Sequence, residues 1–322
     1  MKNEIFKKFN GYLSTRVFFF FCIFMFVNIV GNINSYSLVV DILSQLKVQY
    51  FYIGILFTIA FLYLSFVNKK FIAGVVLSAL ITGFNYIDVS SSYTQFHWNC
   101  TTRIPASNLK IGLFNVLTSN AKYHLLLKEI KTNNPDIAIL QEVDKNWLQN
   151  IEELKENYPN FIEYPRGDNF GIAIYSKIPL DDKKIEYWSN YKIPVISAKI
   201  QKGNKIIKIY GSHTLPPTSK RYILTRNEML KKIGKILDQA NMDKEHIIVA
   251  GDLNTTFFPR AYRLANSSLN SAAIHDALRY APKFKGSWNT AFPPFLRITL
   301  EHILSTEDIQ PINVRFGQNI GS

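Results

Sequence analysis

The first part of the chain contains three long runs of apolar residues. They span residues 17–33, 50–67 and 71–87, and none of them contains a charged side chain. Each run approaches the roughly 20 residues that a helix needs to cross a bilayer. The first run is longer than the apolar core of a signal peptide, and no small-x-small cleavage site follows it. Three such runs in succession are also unusual for buried helices of a water-soluble protein, so the pattern predicts three transmembrane helices.

The basic residues around these runs predict their orientation, because positive flanks stay in the cytoplasm. Four basic residues precede the first run and two separate the second from the third, whereas only Lys47, opposed by Asp41, lies between the first two. The N-terminus is therefore predicted to be cytoplasmic and the residues after 88 to be outside. Residues 37–47 have the apolar spacing of a helix that lies in the interface. Residues 89–108 lack periodicity and are predicted to be a linker.

From residue 109 onward, short apolar runs alternate with amphipathic segments. The short runs predict β-strands at residues 109–115, 136–142, 170–175, 195–200, 205–210, 246–250 and 301–304. Apolar residues at helical spacing predict helices at residues 122–133, 144–158 and 218–240. Lys202-Gly203-Asn204, between two of the strands, predicts a hairpin. The alternation of strands and helices is typical of an α/β domain.

Polar side chains of the kind used in catalysis follow four of these strands, and they are Asn115, Glu142, His213, and Asp252 with Asn254. Asp252 and Asn254 are two residues apart in an extended segment, so both side chains point the same way. A carboxylate there can deprotonate a water that attacks phosphorus, and an amide can donate a hydrogen bond to charge that develops in the transition state. Glu142 offers an oxygen ligand of the kind that Mg²⁺ prefers. Each residue alone also fits a turn or a solvated strand end.

Composition narrows the chemistry only slightly. The formal charge is +13, and residues 1–99 contribute seven basic against three acidic side chains, so about +9 belongs to the rest. A basic surface favours phosphate-bearing partners or anionic membranes, although it also fits ordinary solubility charge. The two cysteines, Cys22 and Cys100, exclude a disulfide framework and a cysteine metal site.

The motifs at the strand ends resemble those of the endonuclease/exonuclease/phosphatase superfamily. They are Phe114-Asn115-Val116, Leu140-Gln141-Glu142, Gly211-Ser212-His213-Thr214 and Gly251-Asp252-Leu253-Asn254, in that order. The resemblance covers residues 109–322 and implies a four-layer αββα sandwich of two mixed sheets. The three apolar runs, and Thr-Leu-Pro-Pro at residues 214–217, are similar to a bacterial branch that is anchored in the inner or plasma membrane.

The resemblance also implies the roles of individual residues. Asn115 and Glu142 are expected beside a divalent metal, Mg²⁺ or Mn²⁺, and Asn115 also near the substrate. His213 is expected at the phosphate, and Asp252 and Asn254 at the reacting centre, with Asn254 also binding substrate.

Two features depart from the family pattern. Leu300-Glu301-His302 has a glutamate where the family has the aspartate of an Asp-His pair, so Glu301 and His302 are expected to be catalytic with altered geometry. The family sequence also continues from a Gly-Ser pair like Gly321-Ser322 into a second Asp-His, and with it a last strand. Residues 1–88 are thus predicted to be a membrane anchor, 89–108 a linker, and 109–322 a domain of this family that lacks that strand.

The predicted function is that of a membrane-anchored, metal-dependent hydrolase of phosphate esters. Its partners would be the lipid bilayer and a phosphate-ester substrate, which is a nucleic acid, a phospholipid or a soluble ester. The alternative is an inactive or truncated member that acts as a tethered binding protein, which Glu301 and the absent second Asp-His favour. A transporter is disfavoured because the apolar runs carry no charged residue.

Overall fold

The described part of residues 1–94 contains four α-helices, and these residues together with 258–260 make up the N-terminal unit of the chain. The computed structural model describes residues 2–33, 37–93, 108–267, 274–281 and 286–321. The helices are α1 (Lys2–Gly31), α2 (Leu38–Ser44), α3 (Lys47–Val67) and α4 (Ile72–Ser92), with a 3-10 turn at Lys69–Phe71. Three stretches are long and apolar enough to span a membrane, namely Lys8–Gly31, Lys47–Val67 and Lys69–Ser92. These stretches include the three runs found in the sequence, except for the last two residues of the first run.

Helices α3 and α4 extend beyond the apolar runs, and the added residues include an ion pair. Nζ of Lys47 lies 3.2 Å from Oδ2 of Asp88, and the Lys47 side chain is fully buried. The same Nζ donates to Oδ1 of Asn32 at the end of α1. The pair therefore links the ends of three helices. Because α4 continues to Ser92, it also runs past the predicted boundary at residue 88; the remainder of the predicted linker lies outside the described residues, except Tyr93 and Asn108.

The C-terminal unit lies within residues 95–257 and 261–322 and contains the strands. Its strands are β1 (Ile111–Asn115), β2 (Ile137–Gln141), β3 (Asn160–Tyr164), β4 (Ile172–Ser176), β5 (Asp181–Tyr187), β6 (Pro194–Lys202), β7 (Lys205–Ser212), β8 (His246–Asp252), β9 (Ile274–Asp276) and β10 (Glu301–Thr306). The helices after residue 108 are α5 (Tyr123–Asn133), α6 (Lys145–Asn150), α7 (Leu154–Asn157), α8 (Lys220–Asp243) and α9 (Arg260–Ser267). Two short 3-10 turns lie at Ala277–Tyr280 and Pro294–Leu296.

The strands form two mixed sheets, which confirms the predicted fold class. The first sheet has the order β1-β2-β4-β3 and the second the order β5-β6-β7-β8-β10-β9. The pairs β1–β2 and β7–β8 are parallel, and the other described pairs are antiparallel. Helices α5 and α6 pack on the first sheet, and α8 packs on the second. The sheets therefore lie between layers of helices.

Alternate residues of each strand face opposite sides of its sheet. In β2, Ala138 and Leu140 pack toward the helices, whereas Ile137 and Ile139 belong to the cluster between the two sheets. In β8, Ile248 and Ala250 belong to the same interior cluster. A side chain at the end of a strand therefore faces the same side of the sheet as the residues two and four positions before it, and this relationship is called its parity below.

Several elements differ from the sequence prediction. The helix predicted at residues 144–158 is two short helices, α6 and α7, because Leu154 N bonds to Ile151 O and Lys155 N to Glu152 O in tighter, i to i−3 turns. Asp144 caps α6 as a helix N-cap does, with 2.8 Å between its Oδ1 and Trp147 N. Strands β3, β5 and β9 and helix α9 have no counterpart in the prediction. Strand β5 is a largely exposed edge strand, so its sequence carries little apolar signal.

Candidate active site at one edge of the two sheets

Five strands of the C-terminal unit have a polar side chain at or next to one end, and that side chain continues a row of interior residues. By parity, Asn115 follows Ile111 and Leu113, and Asp252 follows Ile248 and Ala250, all of which pack between the sheets. The residues of this kind are Asn115, Gln141, His213, Asp252 and Glu301. Polar groups from distant parts of the sequence are thereby gathered at one edge of the interior layer.

Asn115 joins two of the acidic groups at this edge. Its Nδ2 donates to Oε1 of Glu142 at 2.7 Å and to Oδ2 of Asp252 at 3.3 Å. Its own oxygen accepts from Leu117 N at 3.1 Å. The Asn115 amide therefore links Glu142, which follows a strand of the first sheet, to Asp252 in the second sheet.

Glu142 adopts a backbone conformation that glutamate seldom takes. Its φ is 65°, in the left-handed region, immediately after β2 ends. Hydrogen bonds on both sides hold this conformation, since Glu142 N donates to Gly171 O at 2.8 Å and Thr118 Oγ1 donates to Glu142 O at 2.8 Å. This turn interrupts the alternation of side chains along the strand. The Glu142 side chain therefore contacts Asn115, even though the side chain of the adjacent residue, Gln141, points to the same side.

Gln141 connects the two sheets directly. Its Nε2 donates to Ser212 O at 2.6 Å, and its Oε1 accepts from Asp252 N at 3.0 Å. Gly251 permits this approach, because a Cβ there would lie 1.6 Å from Ser212 O and 3.0 Å from Nε2 of Gln141. The buried Gln141 side chain therefore holds the backbone of Asp252 in place.

Asp252 and Asn254 form a buried, hydrogen-bonded turn. Asn254 N donates to Oδ1 of Asp252 at 2.8 Å, and Nδ2 of Asn254 donates to Thr214 O at 2.8 Å. Asn254 has a φ of 48°, a left-handed conformation in which asparagine is enriched. Burial raises the pKa of Asp252, although the bonds from Asn254 and Asn115 oppose that shift. A carboxylate of higher pKa is a better proton acceptor.

His213 lies next to Asp252 on the second sheet. Its Nε2 is 4.0 Å from Oδ2 of Asp252, and its ring centroid is 5.2 Å from that of Phe170. Burial lowers the pKa of His213, while the nearby Glu142 carboxylate acts in the opposite direction. A neutral imidazole carries one N–H that can donate to a phosphate oxygen.

Glu301 faces Asp252 across the antiparallel pair of β10 and β8. Burial and the charge of Asp252 raise the pKa of Glu301. The Glu301 carboxylate accepts a hydrogen bond from Ser287 Oγ and another from Leu300 N, the latter at 3.2 Å. Glu301 therefore belongs to the cluster.

His302 lies apart from the other predicted site residues. It follows Glu301 in the strand and therefore faces the opposite side of the sheet. Its Nδ1 is 2.6 Å from Oδ2 of Asp276, and its Nε2 is 2.8 Å from Thr255 O. Burial alone would lower the pKa of His302, but Asp276 raises it above its ordinary value. Both ring nitrogens are thus occupied by protein partners in this conformation.

Glu142 has a free ligand atom for a cation. Among the described residues, no partner bonds its Oε2, although that oxygen is shielded from solvent. In the described part of the chain, no three His, Cys, Asp or Glu side chains are placed so that they could hold a metal ion together. Mg²⁺ commonly uses one or two protein carboxylates and keeps several waters, so this donor set fits Mg²⁺. Asn115 directs its amide N–H groups to the carboxylates, which makes Glu142 the primary ligand candidate.

Arg226 is a further residue of the site that sequence reasoning did not identify. Its side chain is fully buried in α8, and its Nη1 donates to Asn254 O at 3.0 Å. Its Nη2 donates to Oδ1 of Asn227 at 2.9 Å. Buried arginine is rare, and nothing in the sequence distinguishes Arg226 from the exposed basic residues of the same helix. Gln141 was recognisable, since it shares the parity of Ile137 and Ile139.

Comparisons with known proteins agree with this geometry. A sequence model described as the Endonuclease/Exonuclease/phosphatase family matches residues 112–321. No curated protein sequence matches the chain significantly. The fold is similar to truncated Caenorhabditis elegans TDP2, with a TM-score of 0.52, 14% identity, and 63% of this chain and 86% of that chain covered. It is also similar to humanized D. rerio TDP2, with a TM-score of 0.51, 16% identity, and 64% and 87% covered. Identities this low establish a common fold and nothing about substrate.

Proposed function

The chain belongs to the endonuclease/exonuclease/phosphatase family, and from that premise we propose that it is a membrane-anchored hydrolase of phosphate esters that uses Mg²⁺ or Mn²⁺. The observation that carries the proposal is the Asn115 amide, which bridges Glu142 and Asp252. Beside this bridge, Oε2 of Glu142 is shielded from solvent and unbonded among the described residues. The arrangement offers a cation ligand and a base side by side.

The chain's own residues account for the proton and charge movements of such a reaction. Asp252 orients a water and takes one of its protons as the water oxygen bonds to phosphorus. The ester P–O bond breaks, the leaving oxygen takes a proton from solvent, and Asp252 returns its proton to solvent. The second amide hydrogen of Asn254 and the N–H of His213 donate to the phosphate oxygens as their charge grows. Mg²⁺ held by Glu142 would neutralise phosphate charge when bound.

Hydrolysis by the full chain in detergent tests the proposal. Substrates would be a phosphodiester and a phosphomonoester with nitrophenol leaving groups, assayed with Mg²⁺, with Mn²⁺ and with EDTA. Asp252→Asn is expected to lower the rate by at least about 10²-fold, as loss of a transition-state contact does. Asp243→Asn, an exposed acid at the end of α8, is the matched control. Equal rates in Asp252→Asn and the unaltered chain would remove Asp252 from the mechanism.

Metal binding is tested separately, by titration of Mn²⁺ followed by its paramagnetic resonance signal. Glu142→Gln is expected to abolish tight binding, whereas Glu152→Gln, at an exposed position, is expected to retain it. A chain that binds Mn²⁺ and inorganic phosphate but hydrolyses neither substrate would instead be a tethered binding protein.

The anchoring and its orientation are part of the proposal. The three apolar stretches and their basic flanks support a cytoplasmic N-terminus and a hydrolase domain on the outer side. An alkaline phosphatase reporter fused after residue 108 is expected to be active outside the cytoplasm. A reporter that is active only inside would reverse the orientation.

A further inference from the structure

Residues 286–298, called here the apolar loop, expose large hydrophobic side chains on the C-terminal unit. Trp288 is 50% exposed, Phe292 54% and Phe295 47%. All five residues from 291 to 295, Ala-Phe-Pro-Pro-Phe, are exposed in succession. Residues 286–296 contain no charged side chain, although the domain as a whole is basic. Such a continuous apolar surface marks an interaction site more often than a solvated loop.

The exposure is not a consequence of a frayed backbone. Trp288 N donates to Ile298 O at 2.9 Å, and Gly286 N donates to Pro294 O at 3.1 Å. Arg297 braces the loop from within, since its Nε donates to Phe292 O at 2.7 Å and its Nη2 to Thr290 O at 3.2 Å. The aromatic side chains are therefore presented by an ordered loop, which lowers the entropy that binding would cost.

The base of the apolar loop adjoins the candidate active site. Ser287 Oγ donates to the carboxylate of Glu301, which lies opposite Asp252 in the sheet. Ser287 and Trp288 are consecutive, so the aromatic surface begins one residue from a side chain that contacts the cluster. Whatever the loop binds is thereby brought close to the reacting groups.

The charge pattern distinguishes between the possible occupants. Single-stranded nucleic acid is bound by aromatic side chains together with cations that follow the phosphates. The exposed part of the apolar loop has aromatic side chains and no cation. Exposed aromatic residues flanked in the sequence by basic ones, here Lys283 and Lys285 before the loop and Arg297 near its end, match the composition of segments that enter the membrane interface. A lipid surface is therefore the better fit.

The N-terminal apolar stretches of the chain would themselves keep the loop close to a lipid surface. If the three apolar stretches cross a membrane, the residues between Tyr93 and Asn108 limit the distance from it. Fifteen peptide steps span at most about 50 Å. A tether of this length keeps a weak lipid-binding loop at a high effective concentration near the bilayer.

We propose that the apolar loop inserts Trp288 and Phe292 into the headgroup region of a phospholipid bilayer and so docks the domain on the membrane that anchors the chain. The proposal rests on the anchoring described above but not on hydrolysis.

Quenching by lipid tests the proposal on the full chain in nanodiscs. A fluorophore would be attached to Phe292→Cys, and in a second variant to Trp288→Cys, with Cys22 and Cys100 replaced by serine. Brominated phosphatidylcholine, with or without phosphatidylglycerol, is expected to quench both probes and shift their emission to the blue. Probes at Ile206→Cys and Met242→Cys, also exposed apolar positions, are expected to keep their emission. The same result is expected with Asp252→Asn, which separates docking from catalysis.

Loop probes quenched no more than the controls would overturn the proposal. A response of the loop probes to an oligonucleotide, without quenching by brominated lipid, would also overturn it and indicate base stacking instead.

Discussion

Glu301 in β10 lies directly opposite Asp252 in β8, and burial together with the Asp252 charge raises the pKa of Glu301. A carboxyl group of raised pKa binds its proton more tightly in the folded chain than in the unfolded chain. The stability that it contributes is therefore fully present below the ordinary value of 4.5 and is lost as pH rises through the raised value.

Glu301→Gln is expected to raise stability at neutral pH and to flatten this dependence, because the amide remains neutral and can still accept from Ser287. Thermal unfolding of the full chain in detergent from about pH 4, near the ordinary Glu pKa, to about pH 8 measures the difference. Glu301→Gln also removes the charge that faces Asp252, so the difference between the two curves reports the pair of carboxyl groups together. If stability depended on pH in the same way in Glu301→Gln and in the unaltered chain, the prediction would be wrong. Glu245→Gln, at an exposed position, is the control.

Gln141 should be more important for stability than its polar side chain suggests. Gln141→Leu would leave Ser212 O and Asp252 N without their partner at a buried position. Two such groups cost together about 2–6 kcal/mol in the free energy of unfolding. Denaturant unfolding of Gln141→Leu is compared with that of Gln201→Leu, at an exposed position of β6. Equal midpoints for the two variants would show that the link between the sheets is dispensable.

Arg226 is expected to act on catalysis as a positioning residue. Arg226→Met removes the donor to Asn254 O, and a displacement of about 1 Å in a reacting group can cost about 10²-fold in rate. The prediction is a fall in kcat of that order with little change in Mn²⁺ affinity, and partial recovery in Arg226→Lys. Arg221→Met, exposed on the same helix, should retain the full rate. Loss of Mn²⁺ binding together with kcat would instead indicate a general loss of structure.

The ion pair of the N-terminal unit yields a prediction that is independent of the site. Lys47→Met removes the cation that faces Asp88; because the Asp88 side chain is 19% exposed, the cost is expected to lie below the about 3–5 kcal/mol of a fully buried pair. The full chain should therefore unfold at a lower temperature in detergent, whereas Lys69→Met, at an exposed position, should not. The double variant Lys47→Met with Asp88→Asn is expected to recover part of the loss. Unfolding of Lys47→Met at the control temperature would show that the pair is not stabilising.

Apolar patterning in the sequence determined much of the architecture. Runs of aliphatic residues predicted the strands that make up the centre of both sheets, and longer runs predicted the three long helices of the N-terminal unit, α1, α3 and α4. The same pattern placed polar residues such as Asn115 and Asp252 at strand ends. These features depend on neighbours within a few residues, which is why the sequence alone could predict them.

The tertiary structure decided which of those strand ends meet. Asn115 bridges Glu142 and Asp252, and Gln141 binds Ser212 and Asp252. Both links exist only because the two sheets pack against each other in one relative position. The pairing of β10 with β8 turned Glu301 toward the cluster and His302 toward Asp276, although the two residues are adjacent in the chain. Side chains separated by more than a hundred residues are brought within hydrogen-bonding distance by packing and strand register. That register is a property of the whole sheet, and no local segment of the sequence contains it.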